Sequence, residues 1–162
     1  MAEPEIREAT EDDAATISGL IVAAFEPYRR RLDPPSGAHL ETAESIRRRL
    51  PTRKAALATV DGRAVGCVLY ELGDGFVTMS RLSVLQGERR RGIGRALIAF
   101  VEGRARDSGR SRVRLGVRIV LPRLHAYYSR LGYRKVGLAT HAGFSRPTYA
   151  ILEKDLEAPG RA

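Results

Sequence analysis

The stretch Val84-Leu85-Gln86-Gly87-Glu88-Arg89-Arg90-Arg91-Gly92-Ile93-Gly94-Arg95-Ala96-Leu97 holds the residue types needed to bind a phosphate. A β-rich run, Phe76 to Val84, precedes the turn, and an apolar-periodic segment, Ala96 to Val101, follows it. The spacing predicts a strand, a short basic turn and a helix. The first N–H groups of such a helix have no partner inside it, and the helix dipole adds partial positive charge there. Gly92 and Gly94 carry no Cβ, so a ligand can approach the main chain. A phosphate or pyrophosphate suits that geometry. Two better-known phosphate loops do not fit. A Walker loop ends in Gly-Lys-Ser or Gly-Lys-Thr, whereas Gly94 is followed by Arg95-Ala96, and a dinucleotide fingerprint needs a third small residue where Leu97 stands.

The elements that must position this turn are legible along the chain. Ile6 to Glu8 reads as a first strand, and Thr10 as the N-cap of a helix over Asp12 to Phe25. Pro34-Pro35-Ser36-Gly37 reads as a loop, and a second helix is expected over His39 to Leu50, ending before Pro51. Strands follow at Ala55–Val60, Ala64–Leu72 and Gly75–Val84, joined by turns at Asp61-Gly62 and Gly73-Asp74-Gly75. A helix over Gly92–Arg106 closes at Ser108-Gly109, and Val113–Val117 alternates as a strand. Pro122 opens a short helix through Arg130 that Gly132 terminates, and strands at Tyr133–Gly137 and Pro147–Leu156 complete the order. The order implies one α/β (α+β) domain over residues 1–156: a mixed, mostly antiparallel sheet of six to seven strands with helices on both faces. Residues 157–162 are expected to fray.

Bulk composition narrows the function. The chain has 162 residues, a hydrophobic fraction of 43% and a charged fraction of 29%, which suits a globular domain. Its formal charge of +9 invites a nucleic-acid reading, but aromatics make up only 6% and Trp is absent. The basic residues are nearly all Arg in short clusters, so solvated basic faces are expected and nucleic acid is not the expected partner. The single Cys67 lies in an apolar strand and reads as buried filler, and His39, His125 and His141 show no metal-ligand spacing. No run reaches the length of a membrane span, and Met1 to Glu5 lacks the apolar stretch of a signal peptide, so the expected location is the cytoplasm.

Arg89-x-x-Gly92-x-Gly94 after a strand ending Leu82-Ser83-Val84 resembles the coenzyme A motif of the GNAT superfamily of N-acetyltransferases. Tyr128-Ser129-Arg130-Leu131-Gly132-Tyr133 is similar to the family's tyrosine helix and its exit, and Asp61 to Gly66 to its central hairpin. Thr148 to Lys154 resembles its last strand. The resemblance covers about Ile6 to Leu156 and implies acetyl-coenzyme A as donor, an amine as acceptor and direct transfer in a ternary complex; the histidine spacing adds the expectation of no metal. It assigns the pyrophosphate to main-chain groups of Arg90, Arg91, Gly92, Ile93, Gly94 and Arg95, with Arg89 at the family's Arg or Gln position. It lays the pantetheine arm along Leu82 and Val84, with an N–H near Leu82 on the thioester carbonyl, and makes Tyr128 the proton donor to the departing thiolate.

The base is less well marked. Many peptide-acetylating relatives carry Leu-Glu-Val-Arg and then an Asn, where this chain has Leu115-Gly116-Val117-Arg118 and Leu121. That departure points away from a protein acceptor. The remaining candidates for taking the amine proton are Glu26, Glu71 and His141, with a bound water as the alternative to all three. Glu26 lies at the helix end that in this family overhangs the acceptor site, Tyr28 stands beside it, and His141 and Phe144 fall on a connection that often borders the acceptor pocket. The expected function is acetyl transfer from acetyl-coenzyme A to the primary amine of a small molecule, by an enzyme able to form a homodimer. Alternatives are a protein or peptide N-acetyltransferase and a non-catalytic acyl-coenzyme A-binding regulatory module.

Overall fold

The computed structural model describes residues 2–157, so the tail expected to fray lies outside the described residues from 158 onward. The elements are β1 (Glu5–Glu8), α1 (Ala14–Phe25), α2 (Ala43–Arg49), β2 (Lys54–Val60), β3 (Arg63–Leu72), β4 (Phe76–Val84), α3 (Ile93–Asp107), β5 (Arg112–Arg118), α4 (Pro122–Arg130), β6 (Arg134–Ala139) and β7 (Tyr149–Asp155). The strands form a seven-stranded sheet in the order β1-β2-β3-β4-β5-β7-β6. β1 with β2, β2 with β3, β5 with β7 and β6 with β7 pair antiparallel, and β4 with β5 pairs parallel. This is the mixed, mostly antiparallel α/β architecture expected.

The chain divides into two compact units: residues to Glu71 with Met79–Gly103, and Leu72–Thr78 with the chain from Arg104. In the first unit, Ala14, Ile17, Leu20 and Ile21 of α1 pack with Ile46 of α2 and with Leu57, Cys67 and Leu69 of β2 and β3. Successive strand residues point to opposite faces. Cys67 and Leu69 therefore face α1, while Gly66 and Tyr70 face the other way. A Cβ on Gly66 would come within 3.2 Å of Ile93 and 3.3 Å of Leu97, and the Tyr70 ring meets Phe100 edge-on at 6.5 Å, so α3 lies on that second face. In the second unit, Val113, Leu115 and Val117 of β5 are buried, and Arg112 and Arg114 turn to the opposite face, where both reach Glu153 of β7.

Two local readings change. The helix expected over His39–Leu50 is broken: Gly37–Leu40 is a separate 3₁₀ turn and α2 starts at Ala43. Thr42 is extended, its Oγ1 accepts from the Ser45 N–H at 3.1 Å, and its own N–H donates to Ser45 Oγ at 2.9 Å. That reciprocal cap, with serine in the place usually held by Glu or Gln, starts a new helix. Another 3₁₀ turn, Gln86–Glu88, stands between β4 and α3, where one plain turn was expected.

The start of α1 is held from β1. Arg7 donates two bonds of 2.8 Å to the Asp13 carboxylate, which also accepts from the Thr10 N–H at 2.8 Å. The Arg7 guanidinium lowers the Asp13 carboxyl from its ordinary 3.8 to about 2. A carboxyl depressed in the folded state stabilises above its unfolded value and loses that contribution as pH falls through the folded one. The stability gap between the parent and Asp13→Asn is expected to be constant above pH ~5 and to close between pH ~4 and ~2. Urea midpoints across that range measure it, and a gap unchanged with pH would refute the assignment.

Candidate functional site

The glycine- and arginine-rich turn runs from the end of β4 to the start of α3. Arg90 and Gly92 both adopt left-handed backbone, at φ 68° and 78°, which swings the chain into the helix axis. The first bond of α3 runs from the Ala96 N–H to the Gly92 carbonyl at 2.9 Å, so the N–H groups of Ile93, Gly94 and Arg95 stand ahead of the helical ladder. Where a Cβ on Gly92 would project there is open space to 4 Å. A diphosphate fits such a cradle.

The side chains around the turn hold it in place. Glu88 is buried and accepts from Arg63 Nη2 at 2.8 Å and Arg91 Nη1 at 2.9 Å. Arg89 donates to the Val84 carbonyl at 3.2 Å and the Ala24 carbonyl at 3.0 Å, tying the turn to the ends of β4 and α1. Beneath it, a Cβ on Gly66 would meet the Ser83 carbonyl oxygen at 2.8 Å, so only glycine lets α3 and β4 settle this closely on β3.

β4 carries a feature the sequence did not signal. Arg81 has φ 55° in mid-strand, one residue before Leu82. Its Nε donates to Glu41 at 3.1 Å, its guanidinium lies where a Gly37 side chain would be, and Arg49 binds the same Glu41 carboxylate. The Glu41 side chain is only 2% exposed. Burial pushes its carboxyl up, but the Ser45 hydroxyl, Arg81 and Arg49 outweigh this and hold it below the ordinary value. A non-glycine residue at positive φ costs about 1–3 kcal/mol and needs surroundings that impose it. Glu41 supplies that anchor. The parallel ladder of β4 to β5 covers Phe76–Thr78 against Arg112–Arg114, so Leu82 and Val84 lie beyond it.

The carboxylates expected as bases are engaged elsewhere. Glu26 sits in a 3₁₀ turn with Tyr28, half exposed, and Arg29 Nε contacts both of its oxygens, at 2.9 and 3.0 Å. Glu71 pairs with Arg53 at 3.3 Å, both side chains being exposed. Tyr28 packs edge-on against Phe25 at 5.9 Å. All of these residues belong to the first unit, as does the turn before α3.

Tyr128 and His141 belong to the second unit. Tyr128 is the buried member of its pair, with the rings of Tyr127 and Tyr133 edge-on at 5.3 and 5.7 Å. His141 Nδ1 is hydrogen-bonded to the Thr148 hydroxyl, and its ring stands edge-on to Tyr149 at 5.0 Å. Burial first, and then the Arg118 charge, lower the His141 pKa. Cys67 is buried and its thiol is pushed up to about 12, chiefly by that burial, which suits the filler role expected. Among the described residues no group of three or more His, Cys, Asp and Glu could hold a metal ion. No helix among them is long and apolar enough to cross a membrane.

Residues 19–133 match the model of the acetyltransferase (GNAT) family. The chain belongs to that family, whose general chemistry is acyl transfer. It is 39% identical over 83 residues to a probable N-acetyltransferase 14 of Danio rerio, a match spanning 50% of this chain and 30% of that protein. Its fold is similar to the PaiA N-acetyltransferase of Thermoplasma acidophilum crystallised with coenzyme A, at 17% identity and TM-score 0.77 over 94% of this chain and 99% of that one. The ribosomal-protein-S18-alanine N-acetyltransferase of Escherichia coli is comparable, at 15% identity and TM-score 0.77 over 98% and 97%. At these identities the two structures share the fold.

Two substitutions test the scaffold. Gly66→Ala forces a Cβ onto a backbone oxygen and is expected to cost about 1–3 kcal/mol, read from thermal melts. Glu41→Gln leaves two partly solvated guanidiniums facing a neutral group and is expected to destabilise by about 1–3 kcal/mol in urea unfolding. A parent-like midpoint for Glu41→Gln would show that the cluster carries no stability.

Proposed function

We propose that the chain is an N-acetyltransferase that moves an acetyl group from acetyl-coenzyme A to the primary amine of a small molecule, by direct transfer in a ternary complex. The observation that carries this reading is the turn before α3, where Ile93, Gly94 and Arg95 offer N–H groups ahead of the helical ladder beside the open space at Gly92. These groups would bind the diphosphate, and Arg90 and Arg95 would add positive charge. The main chain of Leu82 and Val84 would pair with the pantetheine arm. The Leu82 N–H would polarise the thioester carbonyl, a kind of donor worth about 3 kcal/mol. Tyr128, gripped between two tyrosine rings, would give its hydroxyl proton to the departing thiolate.

The small-molecule acceptor is favoured by Gly116, which stands where peptide-acetylating relatives carry a glutamate. Work in the cytoplasm and the pairing of two copies belong to the same proposal. Glu26 and Glu71, each ion-paired and exposed, are the weaker bases in this reading.

Acetyl-coenzyme A at a hundredfold over its Kd is expected to stabilise the fold by about 2.7 kcal/mol, seen as a raised melting temperature. Gly92→Val is expected to abolish that shift. Tyr128→Phe is expected to keep the shift but slow coenzyme A release by about 10²-fold or more. No shift with the parent protein would remove the donor assignment, and parent-like turnover in Tyr128→Phe would remove the acid.

A further inference from the structure

Gly116, Arg118, Thr140, His141, Ala142 and Tyr149 line an open cavity of about 420 Å³ within the second unit. That volume falls in the range of small-molecule sites. Its existence depends on Gly116. A Cβ there would lie 3.1 Å from Tyr149 Cδ2, so the ring covers β5 where any other residue would place a side chain. A side chain at position 116 would therefore have to displace the Tyr149 ring that forms this wall.

Two lining groups carry the chemistry. Arg118 is a permanent cation with a planar fork of donors suited to a carboxylate. His141 is oriented by Thr148, whose Oγ1 accepts from the His141 N–H at 2.9 Å and also bonds Nδ1, which leaves Nε2 as the nitrogen for a ligand. Burial and the Arg118 charge both favour the uncharged ring, the form able to accept a proton. The Arg118 carbonyl accepts from His125 Nε2 at 3.0 Å, so the cavity wall is fastened to α4, one turn before Tyr128.

We infer that this cavity is the acceptor site, and that it takes a small amine also bearing a carboxylate, with Arg118 holding the carboxylate and His141 receiving the ammonium proton. The inference rests on the acetyl-transfer reading for the fate of the amine, but not for its binding. A cation beside a neutral imidazole repels purely cationic polyamines and suits a zwitterion, whose two ends match the two groups. In the transfer, the ammonium proton passes to His141 Nε2 and on to solvent. The C–N bond then forms as the C–S bond breaks. The thiolate takes the Tyr128 proton, and the second amine proton restores the Tyr128 hydroxyl.

The chain has three histidines, so the His141 ring resonances can be followed by NMR and assigned with His141→Gln. Titration with alanine, glutamate and phenylalanine is expected to shift them, with ethylamine and phenethylamine at least tenfold weaker. Arg118→Gln should erase that preference. Gly116→Ala should erase the response without altering any charge. Equal responses to acids and decarboxylated amines, no response at all, or a stronger one to phosphoethanolamine than to every carboxylate would each overturn the inference. With acetyl-coenzyme A present, coenzyme A release should follow the same ranking. A protein whose His141 senses carboxylates but which shows no acetyl-coenzyme A shift would sink the donor reading and leave only the binding of the zwitterion standing.

Discussion

Three carboxylates inside the protein are each held by two arginines, and the positions of the functional segments follow from them. Glu41 lies between Arg49 of α2 and Arg81 of β4, Glu88 between Arg63 of β3 and Arg91 of the phosphate turn, and Glu153 of β7 between Arg112 and Arg114 of β5. A carboxylate withdrawn from water is costly unless its oxygens are well satisfied, and two guanidinium forks can satisfy most of its lone pairs. Each trio joins elements distant in sequence. Loss of one partner would strand charge in a place water reaches poorly.

The same interaction recasts the high positive charge. Six of the arginines are committed to these three acids, and Arg7, Arg29, Arg53 and Arg134 pair with Asp13, Glu26, Glu71 and Asp155. An arginine-rich composition is therefore partly a device for satisfying buried acids, while most of these guanidiniums still lie on the solvated faces expected. Other arginines stand at the candidate sites: Arg90 in the turn before α3, Arg95 at the start of α3, and Arg118 in the wall of a cavity.

How much of this was legible depends on whether the information is local. The strand-to-helix turn was, because glycine and arginine at such a junction have consequences within a few residues: Gly92 is left-handed, and α3 begins one residue later. The expected break after Arg106 was also right to one residue, since Gly109 takes positive φ there. The second helix was misread because the apolar spacing of His39–Leu50 continues through Thr42, while its cap depends on a serine three residues on. Glu88 could have been suspected as an acid inside an arginine run. Arg81 could not, since nothing near it in sequence announces Glu41, forty residues earlier.

The sequence alone determined the element order, the family likeness and the glycine turn between β4 and α3, because period, caps and turn chemistry act over short range. Only the tertiary structure decided which acids are spent on arginines, that Tyr128 and not Tyr127 is buried, and that Gly116 makes room for the Tyr149 ring beside Arg118 and His141. Those outcomes depend on which strands become neighbours, and on what each side chain meets across the gap between them.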